Sequence, residues 1–151
     1  MLQLSEMPLR ASELIKALEK RSAGAGGLVT FTGQVRPEAK SGSVSSLFLQ
    51  AYSPMTENGI ESAIAEAQCR WPLTAVSVAH RIGEMLPGDT IVFVGTASAH
   101  RRAAFEAADF LMDYLKTEAI FWKRESTSSG TNWIEPRAED YSDASRWTEH
   151  K

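Results

Sequence analysis

The run Thr90-Ile91-Val92-Phe93-Val94-Gly95-Thr96-Ala97 constrains the fold more than any other segment of the chain. It is apolar at odd and even positions alike. As a β-strand it would present hydrophobic side chains on both faces, so it belongs in the interior of a sheet covered on both sides. Covering two faces takes helices, and the sequence offers them. Residues 11–21 set Leu14, Ile15 and Leu18 on one helical face. Residues 54–71 repeat Ile60, Ala63, Ile64, Ala67 and Trp71 at helical spacing, and Pro72 stops the run. Residues 101–116 read as a third helix with Phe105, Ala108, Met112 and Leu115 facing inward.

Other strands flank these helices. Leu28 to Arg36 places Val29, Phe31 and Val35 on one face, and Gly33 leaves room for another backbone or a ligand. Pro37 to Ser46 reads as a polar loop, followed by a strand from Leu47 to Tyr52. Ala75 to Ile82 alternates, with Val76, Val78, His80 and Ile82 sharing a face. Pro87-Gly88-Asp89 is a turn. Ile120 to Glu125 and Asn132 to Glu135 form a hairpin about a Ser/Gly-rich turn. Helices and strands alternate, but irregularly, and the C-terminal hairpin favours a mixed α+β sheet over a doubly wound one. Residues 1–151 are expected to form one domain, with 1–10 an N-terminal extension and 136–151 a polar tail anchored by Tyr141 and Trp147.

A chain of 151 residues, 43% hydrophobic and 23% charged, suits one globular core. The net charge of -3 argues against general binding to nucleic acid or an anionic membrane, so any basic site must be local. The lone cysteine, Cys69, rules out an internal disulfide and a cysteine-cluster zinc site; among helix formers it reads as a packing residue. His80, His100 and His150 lack close ligand spacing, so no metal is expected, and His80 reads as a core or hydrogen-bonded residue. Walker, Rossmann and nucleophile-elbow motifs are missing from the sequence. Glu6 and Pro8 break up the N-terminus, so it does not read as a signal peptide, and no stretch is apolar enough to span a membrane. Cytoplasmic residence is the default expectation.

Chemistry concentrates in the run from Asp113 to Glu125. Lys116 closes a helix, and Lys123 sits in the aromatic strand that follows almost at once. Two ammonium groups brought together beside Phe121 and Trp122 would repel and be partly desolvated; both effects weaken a lysine's hold on its proton. Glu125 lies on the strand face of Lys123 and could pair with it, making Lys123 the more permanently cationic of the two. The alternative is a lysine complementing a helix C-terminus, followed by a solvated strand lysine. A second cluster, Ser98-Ala99-His100-Arg101-Arg102, lies where the buried strand enters a helix. Free backbone N–H groups there, with His100 and the arginines, make an anion site; the alternative is Ser98 as a helix cap with solvated arginines. Arg36 at a strand end and Arg137 after Trp133-Ile134-Glu135 are further cations placed for phosphate or carboxylate. Together these point to an anionic, heterocyclic substrate.

Phe31-Thr32-Gly33-Gln34-Val35-Arg36, His80-Arg81-Ile82-Gly83, Ser98-Ala99-His100-Arg101, Tyr114-Leu115-Lys116 and Phe121-Trp122-Lys123-Arg124-Glu125 resemble, in order and spacing, the large catalytic subunit of molybdopterin synthase. The resemblance runs from about Leu28 to Trp147, and Trp71-Pro72-Leu73 and Pro87-Gly88-Asp89 also fit. It implies an α/β hammerhead fold with an added antiparallel subdomain and a central homodimer. It also implies a small ubiquitin-like sulfur-carrier subunit whose Gly-Gly thiocarboxylate enters the large subunit. The implied reaction puts two sulfurs onto cyclic pyranopterin monophosphate to form the molybdopterin dithiolene, with no cofactor. By the same resemblance Lys116 and Lys123 are catalytic. Arg36, His100 and Arg101 match substrate-anion positions, and Arg137 a position reaching toward the neighbouring subunit's pocket. Ile120 departs from the family, which often has proline there, and Gln50 replaces a common acidic residue. Two other classes stay open: another enzyme acting on a phosphorylated heterocycle, and a non-catalytic adaptor for a ubiquitin-like partner. Failure to bind a Gly-Gly-tailed carrier would favour the first; an adaptor would have no need of a basic pocket.

Overall fold

The computed structural model describes residues 1–148. A four-stranded sheet runs β1 (Leu2–Ser5), β5 (Leu73–Arg81), β7 (Thr90–Ser98), β2 (Gly27–Gln34). The β1/β5 pair is parallel, and β5/β7 and β7/β2 are antiparallel. The doubly apolar run is β7, and it does lie inside the sheet. Helix α1 (Ala11–Arg21) covers one face, where Leu18 packs with Ala75 and Ala97 and where Leu14 and Ile15 pack against Phe93. Helices α2 (Met55–Arg70) and α3 (Arg101–Thr117) cover the other, joining Ile60, Ile64, Leu111 and Leu115 to Val76, Val78, Val92 and Val94. Both faces are therefore dry, which is why alternation vanishes in β7. Each fully buried aliphatic side chain contributes on the order of 1.5–3 kcal/mol of transfer free energy.

A second, antiparallel sheet is built on β4 (Gly42–Ala51), which pairs with β3 (Glu38–Ala39), β6 (Gly83–Met85) and β8 (Phe121–Thr127). β9 (Gly130–Ile134) pairs with β8 and forms its outer edge. Val35, Val44, Leu47, Leu49 and Met85 make the small core of this sheet. The fold is thus mixed α+β with an added antiparallel sheet. A last helix, α4 (Ala138–Ser145), lies against α3.

Several expectations need correction. Pro37 to Ser46 is not a loop: β3 and the first half of β4 form a hairpin there, and polar residues suffice because only Val44 and Ala39 face the small core. Residues 2–5, read as an extension, are the parallel edge strand β1. The polar tail holds α4. Trp147 does anchor it, edge-on to Trp71 and Phe110 at 5.6 Å each, but Tyr141 is exposed. Phe105 points outward, 60% exposed, because the inward stripe of α3 is Ala104, Ala107, Ala108, Leu111 and Leu115. Cys69 is exposed rather than packed. The room at Gly33 is taken by Val92 and Phe31. His150 lies outside the described residues.

Candidate active site

The two lysines meet at one corner of the molecule. Lys116 is in the last turn of α3, Lys123 is in β8, and Glu118-Ala119-Ile120 joins the two elements. The helix is closed by the Tyr114 carbonyl, which accepts the N–H groups of Glu118 at 2.8 Å and Ala119 at 3.0 Å. The Thr117 hydroxyl donates to the Asp113 carbonyl at 2.7 Å. The Ile120 carbonyl is taken by the Thr56 hydroxyl at 2.6 Å, and β8 then enters the sheet with Lys123 opposite Leu49 of β4 and Ile134 of β9. Alternation sets Phe121, Lys123 and Glu125 on the sheltered face and Trp122 and Arg124 on the outer one.

Burial first, and then the charge of Lys116, pull the Lys123 ammonium down to about 8 against the opposing charge of Asp140. The expected ion pair with Glu125 is not among those formed by the described residues. Lys123 is therefore not the permanently charged member of the pair; shelter and its neighbour's charge loosen its proton. His80 closes the corner from β5. It is buried and stacks on Phe121 with centroids 4.3 Å apart. Its Nδ1 lies 3.0 Å from the Arg81 carbonyl and donates to it. Burial above all, with smaller pushes from Lys123 and Lys116, lowers its pKa to about 4 against the opposing Arg81 hydrogen bond. The ring is neutral at neutral pH.

Arg137 comes to the same corner from the tail. It is exposed, it precedes α4, and it pairs with Glu139 at 3.2 Å and Asp140 at 3.3 Å. Burial would raise the Asp140 carboxyl, but hydrogen bonds from the Arg137 backbone and guanidinium, and then the Arg137 and Lys116 charges, outweigh it and hold it below the usual carboxylate range. Within one chain Arg137 thus lies near that chain's own lysines. Helix α4 is tied down by Asp113 of α3, whose carboxylate accepts from Arg146 at 2.7 Å and the Trp147 indole at 2.6 Å.

His100, Arg101 and Arg102 stand at the opposite end of α3, around an open hollow of about 390 Å³ shared with Phe105 and Glu106. Fifteen residues of helix separate Arg101 from Lys116, which is roughly 22 Å. One chain does not bring them together. Ser98 does not cap this helix; its hydroxyl donates to the Pro72 carbonyl at 2.8 Å, and His100 occupies the cap position without a capping hydrogen bond. The first-turn N–H groups remain available, as an anion site requires. Gly26 permits this chain path: a Cβ there would sit 2.1 Å from the Ala99 carbonyl oxygen. Arg36 is exposed just beyond β2, where Val35 is fixed by backbone bonds to Asp89 at 2.9 Å and Gly88 at 2.8 Å. Among the described residues, no group of His, Cys, Asp and Glu is placed to hold a metal ion.

Sequence reasoning missed Asp140 and Thr56. The spacing of Arg137 and Asp140, typical of a helix-start capping pair, could have shown the first. Nothing in the sequence marks Thr56.

The family described as MoaE protein matches residues 4–118. The molybdopterin synthase catalytic subunit of Yersinia pestis is 56% identical over 122 residues, covering 81% of each chain. That of Pseudomonas aeruginosa is 48% identical over 135 residues, covering 89% of this chain and 90% of its own. Among solved structures, the molybdopterin biosynthesis MoaE protein of Burkholderia ambifaria superposes with a TM-score of 0.83 at 38% identity, covering 98% and 97% of the two chains. A chain from the Helicobacter pylori complex of subunits 1 and 2 of molybdopterin-converting factor shares the fold, with a TM-score of 0.75 at 20% identity, covering 90% and 91%. The chain belongs to the MoaE family, the molybdopterin synthase catalytic subunits.

Proposed function

We propose that this enzyme of molybdenum cofactor synthesis moves sulfur from the thiocarboxylated Gly-Gly end of a small ubiquitin-like carrier subunit onto cyclic pyranopterin monophosphate, forming the dithiolene. The observation that carries this reading is the lysine corner. Lys123 is sheltered, crowded by Lys116 and poised near 8, so it can give up a proton at physiological pH and take one back. Sulfur attack on the pterin side chain needs a proton or a fixed charge at the departing oxygen. Lys123 supplies the proton, and Lys116, exposed at the helix end, meets the carrier's terminal carbonyl.

Arg36, His100 and Arg101 take the substrate's anionic groups. The length of α3 keeps Arg101 from its own chain's Lys116, so a homodimer in which one protomer's His100 and Arg101 approach its partner's lysines completes the site. Arg137 steadies Asp140 beside the lysines. The test is direct: the chain is mixed with a thiocarboxylated carrier and cyclic pyranopterin monophosphate, and dithiolene formation is followed. Binding of the carrier without product would favour an adaptor; turnover of another phosphorylated heterocycle without a carrier would favour a different enzyme.

A further inference from the structure

We propose that Thr56 is a positioning residue that sets the spacing of Lys116 and Lys123 by clamping the turn between them. The proposal rests on the reading of the two lysines given above. Thr56 lies in the first turn of α2 and is fully buried, at 0% exposure. Its Oγ1 accepts the Tyr52 N–H at 2.8 Å and donates its one proton to the Ile120 carbonyl at 2.6 Å. The Thr56 N–H in turn donates to the Tyr52 carbonyl at 3.0 Å, so the hydroxyl is held on both sides.

The clamped turn has one backbone bond of its own, from the Phe121 N–H to the Ala119 carbonyl at 3.0 Å. Glu118-Ala119-Ile120 contains neither the proline nor the glycine that would favour a particular tight turn. It is instead anchored from outside: at its start by the Tyr114 carbonyl, at its end by Thr56. Beyond that second anchor, Phe121 stacks on His80, and Lys123 follows on the same strand face. A shift of the Ile120 carbonyl therefore carries Phe121 and Lys123 with it, while Lys116 stays with α3. Thr56 touches no reacting atom in this arrangement; it acts through the turn.

Two charges act on the Lys123 ammonium, Lys116 from α3 and Asp140 from α4, while His80 from β5 is uncharged where Lys123 titrates. A hydroxyl that only supported the fold would change stability and leave the proton affinity of Lys123 alone. A hydroxyl that sets the lysine spacing changes both. Thr56→Val keeps the shape and removes the hydrogen bonds; Thr56→Ser keeps the hydroxyl.

The experiment titrates the lysine ε-carbons of ¹³C-lysine-labelled protein by NMR, with Lys123 assigned through Lys123→Arg, and measures turnover alongside. In Thr56→Val, Lys123 is expected to titrate at higher pH than in wild type, and kcat to fall roughly ten- to hundredfold with KM little changed. Thr56→Ser should restore both. The titration needs neither carrier nor substrate. A shifted Lys123 in a protein whose wild type makes no dithiolene would therefore sink the sulfur-transfer reading and leave the clamp standing. A folded Thr56→Val protein with an unshifted Lys123 overturns the clamp, and so does failure of Thr56→Ser to restore the shift. Should Thr56→Val not fold, hydrogen exchange of the wild-type Tyr52 amide decides: protection like that of the α2 interior supports the clamp, and free exchange overturns it.

Discussion

The two ends of α3 carry the same sign of charge in opposite settings. At its start, His100, Arg101 and Arg102 stand exposed around an open hollow. At its end, Lys116 faces a sheltered Lys123, with His80, Phe121 and Asp140 packed about the pair. Exposed cations attract an anion. The sheltered, crowded Lys123 yields a proton near neutrality. On the proposed reading, binding falls at one end of the helix and chemistry at the other, about 22 Å apart in a single chain.

The largest expected effect comes from the chemical end. Lys116→Ala should cut turnover by about a hundredfold or more, the scale of a lost acid–base or charge contribution. Its exposed position predicts a stability change within about 0.5 kcal/mol. Near-normal dithiolene formation by the folded variant would break the contrast at its strongest point. Arg101→Ala alone should damage the other end. Mixed dimers of the Lys116→Ala and Arg101→Ala chains should then recover turnover to within a few-fold of wild type, because one composite site keeps both groups. Assays on co-purified mixed dimers would show it, and a monomer by light scattering would remove its basis.

Smaller effects sharpen the division. Arg101→Ala and Arg36→Ala should each weaken substrate binding by about tenfold, for a charged hydrogen bond of roughly 1.5–3 kcal/mol, and leave carrier binding nearly unchanged. Calorimetry with each ligand separately checks this; equal losses for both would show that these arginines do not select the phosphate.

The smallest effects are on stability, and their pH dependence carries the information. The folded state holds Lys123 at about 8 against an ordinary 10.5, so its charge costs stability below about 8, and that cost fades as pH climbs toward 10.5. Lys123→Met should therefore raise Tm by about 2–4 °C per kcal/mol relieved at neutral pH, while abolishing turnover, and the gain should shrink in alkali. His80 behaves differently. Its folded value of about 4 lies below the ordinary 6.5, so the unfolded chain binds the extra proton, and stability is lost as pH falls from 6.5 to 4. His80→Phe, which retains an aromatic ring against Phe121, should flatten that acid limb in a thermal-melt series.

Much of this was legible in the sequence where burial wrote a periodic pattern. The apolar run of β7, the stripes of α1 and α2 and the helix-to-strand change between Lys116 and Lys123 all follow from side-chain spacing. The hairpin of β3 and β4 was not legible, because its residues are mostly polar and face a core of a few side chains. Phe105 misled because the inner stripe of α3 runs through Ala104, Ala107, Ala108 and Leu111 with Phe110 beside it, which leaves Phe105 on the outer face. At the site, the residue types were visible and the partners were not. Glu125 is two residues from Lys123 and does not pair with it, whereas Asp140, seventeen residues away, acts on both lysines. Thr56 reaches Ile120 across 64 residues, a contact that only the assembled fold creates.

The Asp113 carboxylate gives the chain's last described turn an influence out of proportion to its size. Trp147 and Arg146 are what Asp113 holds, one helical turn before Lys116, and α4 carries Asp140 and Arg137 to the corner. A carboxypeptidase trimming the protein back past Arg146 would leave Asp113 buried without these donors and free the helix from α3. The central sheet would survive that trimming intact. A preparation nicked in this way would still be folded by circular dichroism and would keep its dry core, while losing the arrangement around its lysines: damage invisible to a folding assay and visible only in catalysis.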